Sequence, residues 1–206
     1  EEELCQMFPS AKILRMDADT TMAKNAYEQK LRDFADGKYD IMIGTQMVAK
    51  GLDFPNVTLV GVLSADIGLY LDDYRSAEKA FDLLTQVIGR AGRRSEQGLA
   101  VIQTLSPDNE VIRFAAAQDY QNFFNSEIAN RKAMIYPPFC DICMIGFLSE
   151  NELGAKNAAN AFLSALKASS STEYADQKLI VIGPNPSVIR KMGNQYRFKL
   201  LIKCKN

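Results

Sequence analysis

No histidine and no tryptophan occur in the 206 residues. The absence of histidine excludes any Ser-His or Cys-His catalytic apparatus. Cysteine is sparse, with only Cys5, Cys140, Cys143 and Cys204. Cys140-x-x-Cys143 has metal-ligand spacing, but no second close pair and no histidine exist to complete a tetrahedral site. Both cysteines lie in an apolar, strand-like run, Phe139 to Leu148, where free cysteine behaves as a small buried hydrophobe; no metal is expected. No apolar run approaches the roughly 20 residues of a membrane span, and the acidic start Glu1-Glu2-Glu3 is no signal peptide. A cytoplasmic protein, or a piece of one, is the expectation. Also missing are a G-x-x-x-x-G-K-[S/T] phosphate loop and an acidic box of the Walker B kind, so this chain alone is not expected to hydrolyse a nucleoside triphosphate.

What is present is ordinary in bulk and uneven in distribution. Hydrophobic residues make up 47% and charged ones 24%, as in soluble globular domains, and the length allows one or two domains with real cores. The formal net charge of -1 gives no sign of a polyanionic partner. Residues 1–105 carry 12 Lys+Arg against 16 Asp+Glu, whereas residues 106–206 carry 12 against 9. From Gln177 onward seven basic residues (Lys178, Arg190, Lys191, Arg197, Lys199, Lys203, Lys205) meet no acidic one. With Tyr196 and Phe198 interleaved, that stretch could track phosphates and stack bases. A strand edge guarded by lysines reads equally well.

Short strands and helices alternate along the first half. Ala11–Met16, Asp40–Thr45, Val57–Ser64 and Gly98–Thr104 are apolar or β-branched runs, the middle two long enough for buried parallel strands. Helical spacing runs from Thr21 to Ala35 through Ala23, Ala26, Tyr27, Leu31 and Phe34, and Gly37 closes that helix. Ser76 is placed to cap a helix with Ala77, Ala80, Phe81, Leu84 and Ile88 on one face. Such alternation predicts a parallel α/β sheet, with ligands beyond the carboxyl ends of its strands. Pro107 opens a helical stretch reaching about Ala133, with a break near Asp119. Pro137-Pro138 ends it and marks a domain boundary. A small α+β unit follows: strand Cys140–Leu148, helix Glu152–Ala168, a polar loop Ser169–Thr172, strand Lys178–Ile182, a Gly193-Asn194 turn and strand Tyr196–Lys203.

The most informative string is Gln86-Val87-Ile88-Gly89-Arg90-Ala91-Gly92-Arg93, preceded by Gly44-Thr45-Gln46 and Lys50-Gly51-Leu52-Asp53. Two arginines three apart, between glycines, can present two guanidinium forks to one set of phosphate oxygens. Taken alone they read also as a solvated basic helix end favoured by the macrodipole. Together these blocks resemble motifs IV to VI in the second motor lobe of superfamily 2 helicases. Ile43 to Pro55, Leu63-Ser64-Ala65-Asp66 and Asp73-Tyr74-Arg75-Ser76-Ala77-Glu78 are similar to the primosomal replication-restart helicases, the PriA family. Tyr136-Pro137-Pro138-Phe139, Gly183-Pro184-Asn185-Pro186 and Tyr196-Arg197-Phe198 resemble the C-terminal domain of the same family.

That resemblance implies a RecA-like parallel-sheet helicase lobe over residues 1–135 and a small α+β domain over 136–206, cut short at its end. It implies an ATP-dependent DNA helicase that remodels stalled or branched replication forks for restart. Arg90 and Arg93 would be arginine fingers toward a γ-phosphate held by a first lobe that this sequence lacks, and Gln86 would contact phosphates or the attacking water. Gly51 and Asp53 would meet the nucleotide ribose, while Thr45, Gln46 and Lys50 would hold the nucleic-acid backbone. Ordinary surface charge is the plainer alternative for Lys50 and Asp53. Asp66 and the Asp73/Arg75/Glu78 set either couple motifs V and VI or form a local salt-bridge network. ATP and Mg2+ are implied as cofactors shared with the absent lobe, and zinc only in a segment upstream of Glu1. Implied partners are branched or single-stranded DNA, single-stranded-DNA-binding protein and primosome proteins, with Arg197 and Arg190 or Lys191 nearby as a protein contact. A non-catalytic binding module and another superfamily 2 repair translocase are the rival readings.

Overall fold

Short β-branched runs and amphipathic helices assemble into parallel and antiparallel ladders in the computed structural model, which describes residues 1–16, 24–45, 54, 56–89 and 98–205, with backbone alone for 24–26. Two compact units result, Glu1–Phe123 and Phe124–Asn206. In the first, helix α1 (Glu2–Met7) forms in the acidic start, in addition to the expected elements. Strand β1 (Ile13–Met16) then pairs in parallel with β2 (Ile41–Gly44) across helix α2 (Lys24–Ala35). Strand β3 (Leu59–Val62) pairs in parallel with β4 (Leu99–Ile102) across helix α3 (Ser76–Ile88). Among the described residues the parallel strands stand as two separate pairs, each joined by the helical crossover that parallel pairing requires.

Each pair has its own core. Leu14 and Met16 of β1 meet Leu31 of α2 and Phe54, whose ring stands edge-on to Phe34 with centroids 5.2 Å apart. Phe81 and Leu84 of α3 meet Ile112 and Ala115 of helix α4 (Glu110–Ala116) and Phe123 at the start of helix α5 (Tyr120–Met134). The Phe81 and Phe123 rings stack with centroids 4.0 Å apart. The expected break near Asp119 falls between α4 and α5. Asn109, rather than Pro107, starts α4, its side chain accepting from Val111 N at 2.9 Å. Ser76 does not cap α3 as expected. It is the first helical residue, and its buried hydroxyl donates backward to the carbonyls of Leu71 at 2.9 Å and Asp73 at 2.6 Å.

The second unit is a three-stranded antiparallel sheet in the order β5-β7-β6, with β5 at Asp141–Ser149, β6 at Leu179–Met192 and β7 at Gln195–Cys204. Helix α6 (Glu152–Ser171) covers one face through Ala155 and Ala159 against Phe198 and Phe147. Two expectations are corrected. The polar run Ser169 to Ser171 is the last turn of α6, because the Ser170 and Ser171 hydroxyls donate to Lys167 O at 3.1 and 2.7 Å. The strand expected to end at Ile182 runs on through Gly183-Pro184-Asn185-Pro186 to Met192. Proline is tolerated there because β6 is an edge strand with register shifts after Ile182 and Pro186. Gly183 is required: its φ is +111°, and a Cβ would lie 2.8 Å from the Lys199 carbonyl oxygen.

The basic terminal stretch divides between an edge and the sheet centre. Arg190 and Lys191 lie on the edge strand β6, whereas β7 is the central strand, Phe198 is buried under α6, and Lys203 is only 5% exposed. Lys203 Nζ donates to the Met134 carbonyl at 2.8 Å and sits 3.6 Å from the Tyr136 ring centroid, a charge held by a carbonyl and a π face. Of the two cysteines expected to be buried, Cys140 is, donating from Sγ to Ile135 O at 3.1 Å, whereas Cys143 is exposed. On β5 the residue that packs against the Ala155, Ala159 and Phe198 cluster is Phe147, four residues further along. Replacing Lys203 with alanine strands the Met134 carbonyl and uncovers Tyr136. A loss of about 2 kcal/mol is expected, read as a lower urea midpoint at unchanged m-value.

Candidate functional site

The helix that leads to the arginine string is placed by its apolar stripe. Phe81 and Leu84 are buried in the core shared with α4 and Phe123, Ile88 packs at its edge, and Ala80 is buried one residue before Phe81. The opposite face therefore carries Glu78, Asp82 and Gln86, spaced i, i+4, i+8. Partial burial, and then the charge of Glu78, push the Asp82 carboxyl above the ordinary carboxylate range. Gln86 is exposed one turn short of Gly89, where α3 ends with the Gly89 N–H donating to Thr85 O at 3.0 Å. Arg90 and Arg93 lie outside the described residues, as do Gln46, Lys50, Gly51 and Asp53. Thr45 is described: it directly follows β2 and is exposed, at the strand's carboxyl end where the α/β rule puts ligands.

Asp66 does more local work than an exposed carboxylate at a strand end suggests. It lies in a short 3-10 turn, Ala65–Gly68, after β3. Its carboxylate accepts from Thr104 Oγ1 and from Leu105 N, both at 2.9 Å, while Ser64 N donates to Gln103 Oε1 at 3.2 Å. The loops beyond β3 and β4 are thus stitched together. The Leu105 N–H, followed by the Thr104 hydroxyl, holds the Asp66 carboxyl below the usual range. Asp73 accepts from Lys79 Nζ at 2.5 Å and from Arg75 N at 3.0 Å, which pull its carboxyl down in that order. Asp73 thus sits in a local charge network, and Asp66 is held by neutral donors. Sequence reasoning missed one polar group: Thr85 Oγ1 on α3 is buried with no hydrogen-bond partner among the described residues. No sequence signal marks it, since its burial is purely tertiary.

In the second unit the three basic residues grouped from sequence do not form one cluster. Arg190 donates through Nε to Glu152 Oε1 at 2.9 Å at the start of α6, and Lys191 Nζ lies 4.7 Å from the Tyr196 ring centroid. Arg197 neighbours the α6-facing Phe198 on β7, so by strand alternation it projects from the opposite face, across from Leu148. No three His, Cys, Asp or Glu side chains converge to hold a metal among the described residues. Among those residues, too, no helix is long and apolar enough to cross a membrane.

Comparison with known proteins accounts for this succession of units. Residues 1–95 match the helicase conserved C-terminal domain, and residues 132–206 match the primosomal protein N C-terminal domain. The replication restart protein PriA of Bacillus subtilis (strain 168) is 46% identical over 205 residues, covering 100% of this chain and 25% of that protein. The PriA of Chlamydia muridarum is 39% identical over 206 residues, covering 100% of this chain and 27% of its own. A slight structural likeness, TM-score 0.40 at 24% identity, links 66% of this chain to 29% of the yeast DEAD-box splicing factor Prp28. The matched helicase C-terminal domain, with its parallel strand pairs and crossover helices, makes the first unit a helicase lobe of the α/β class. The chain belongs to the PriA family of replication restart proteins, and it spans about a quarter of the length of the curated relatives it matches.

The Asp66 clamp carries a pH dependence. A carboxyl whose folded-state pKa is depressed contributes stability above its unfolded value of about 3.9 and loses it as pH falls through the folded value. Thermal stability is therefore expected to fall more steeply below about pH 4 in the wild type than in Asp66→Asn. Parallel pH profiles would assign the depression to other carboxylates.

Proposed function

We propose that this chain is the second motor lobe and C-terminal domain of an ATP-dependent DNA helicase acting at stalled or branched replication forks. The carrying observation is the order of the two matched regions on one chain, a helicase C-terminal domain followed by a primosomal protein N C-terminal domain. In this reading Arg90 and Arg93 offset charge on the γ-phosphate, and Gln86 contacts phosphates or the attacking water. Gly51 and Asp53 meet the ribose, and Thr45, Gln46 and Lys50 bond the DNA backbone. The exposed positions of Thr45 past β2 and of Gln86 on the last turn of α3 support these roles. ATP and Mg2+ would be bound jointly with a nucleotide-binding first lobe, whose phosphate loop supplies what this sequence lacks. Single-stranded-DNA-binding protein and primosome proteins are the proposed protein partners, and a cytoplasmic setting follows from that work.

The proposed motion is cleft closure. ATP draws the arginines onto the first lobe, Thr45 shifts relative to that lobe's grip on DNA, and hydrolysis releases it. In a full-length PriA carrying this chain, Arg93→Ala is expected to bind forked DNA normally but to lose about 10³-fold or more in ATP turnover, and unwinding with it. Fork binding by fluorescence anisotropy and turnover by phosphate release separate the two. Wild-type turnover in the variant would favour a non-catalytic binding module.

A further inference from the structure

The Tyr136-Pro137-Pro138-Phe139 turn has no role in the motor reading, yet it borders a site of its own. A hollow of about 400 Å³ is lined by Lys132, Ile135, Pro138, Phe139 and Lys205. All five belong to the second unit, and the volume falls in the range of small-ligand sites. The floor is apolar and the charge is of one sign. Lys132 and Lys205 are exposed, and their side chains make no hydrogen bond or ion pair among the described residues. Ile135, directly after α5, has φ +52°, a left-handed backbone in which a β-branched residue is a genuine outlier. Several bonds fix it there. Ile135 N donates to Lys132 O at 3.3 Å and Tyr136 N to Arg131 O at 2.8 Å. Cys140 Sγ donates to Ile135 O at 3.1 Å, and Lys203 Nζ to Met134 O at 2.8 Å. The carbonyls of Arg131, Lys132, Met134 and Ile135 therefore already accept, which blunts the negative helix end that would otherwise repel an anion. Strain held in place by its surroundings clusters at ligand clamps.

We propose that this hollow is a binding site for single-stranded DNA, with backbone phosphates at Lys132 and Lys205 and a base against Pro138 and Phe139. Lysines meet phosphates as point charges, and an aromatic ring accepts the π face of any base. An acidic peptide would meet the same lysines, but planar carboxylates are recognised best by the arginine fork, and no arginine lines the hollow among the described residues. The site uses none of Thr45, Gln46 and Lys50. It shares with the proposed function only DNA as the ligand.

The test uses a full-length protein carrying this chain and a fluorescein-labelled oligothymidylate, with binding followed by anisotropy across a salt series. Lys132→Gln/Lys205→Gln is expected to melt with the wild type, because both positions are exposed. It should bind about tenfold more weakly at ~0.1 M salt, with a log–log salt slope shallower by about 1.4, as two lost single-strand phosphate contacts require. Phe139→Leu should lose about fivefold or more in affinity at an unchanged slope, as loss of base stacking requires. Wild-type affinity and slope in the lysine variant overturn the site and leave the motor reading standing. A lysine variant that keeps the oligothymidylate but loses a short poly-aspartate peptide also overturns it, because the ligand would then be a protein. Failure of the wild type itself to bind the oligothymidylate removes the DNA reading of the proposed function as well.

Discussion

The half of the first unit built on β3 and β4 depends on the buried stripe of α3. Phe81 and Leu84 are each almost fully buried, and burial of side chains of this size contributes about 1.5–3 kcal/mol apiece. The same stripe fixes three things at once. It holds Val62 and Ile102 of the parallel pair β3-β4, it receives α4 and Phe123, and it fixes the course of the helix that ends at Gly89. A rigid strut is what the arginine string after it in sequence needs. Charge stabilisation of a transition state depends on donors already in place, and reorganisation at the moment of reaction forfeits the advantage.

Around that strut the polar groups act as local clamps more than as long-range charges. Asp66 joins the loops after β3 and β4 through neutral donors, and Asp73 collects Lys79 and the Arg75 backbone just before α3 begins. The second unit follows the same economy. Lys203, counted among the basic residues of the terminal stretch, is buried against Met134 O and Tyr136. Arg190 is occupied by Glu152 and Lys191 by Tyr196. The net basic charge after Gln177 therefore overstates what that region offers to a ligand, and Arg197 projects from the face away from α6, across from Leu148.

How much of this was legible beforehand divides along physical lines. The stripe of α3, the break at Asp119 and the Gly193-Asn194 hairpin are local signals, set by periodicity and turn chemistry, and each is found in the structure. The β6 continuation through two prolines was not legible, because proline's missing donor is harmless only on an edge and edges are tertiary facts. Burial of Lys203 was hidden for the same reason, and so was the left-handed Ile135, since a β-branched residue in that region has no sequence signature. Among the candidate site residues, Thr45 directly follows β2 and Gln86 lies on the last turn of α3. Arg190, Lys191 and Arg197 were grouped by proximity in sequence, which strand alternation and the bulged register of β6 then separated.

Under the proposed function, Arg93 acts on the transition state and not on the bound nucleotide. The decisive comparison is between the affinities of ADP and of ADP–aluminium fluoride, with DNA present, for a full-length protein carrying this chain and for its Arg93→Ala variant. The wild type should prefer the transition-state analogue by at least about 10²-fold, and the variant should lose most of this preference while binding ADP unchanged. An undiminished preference in the variant would leave Arg93 without a transition-state role.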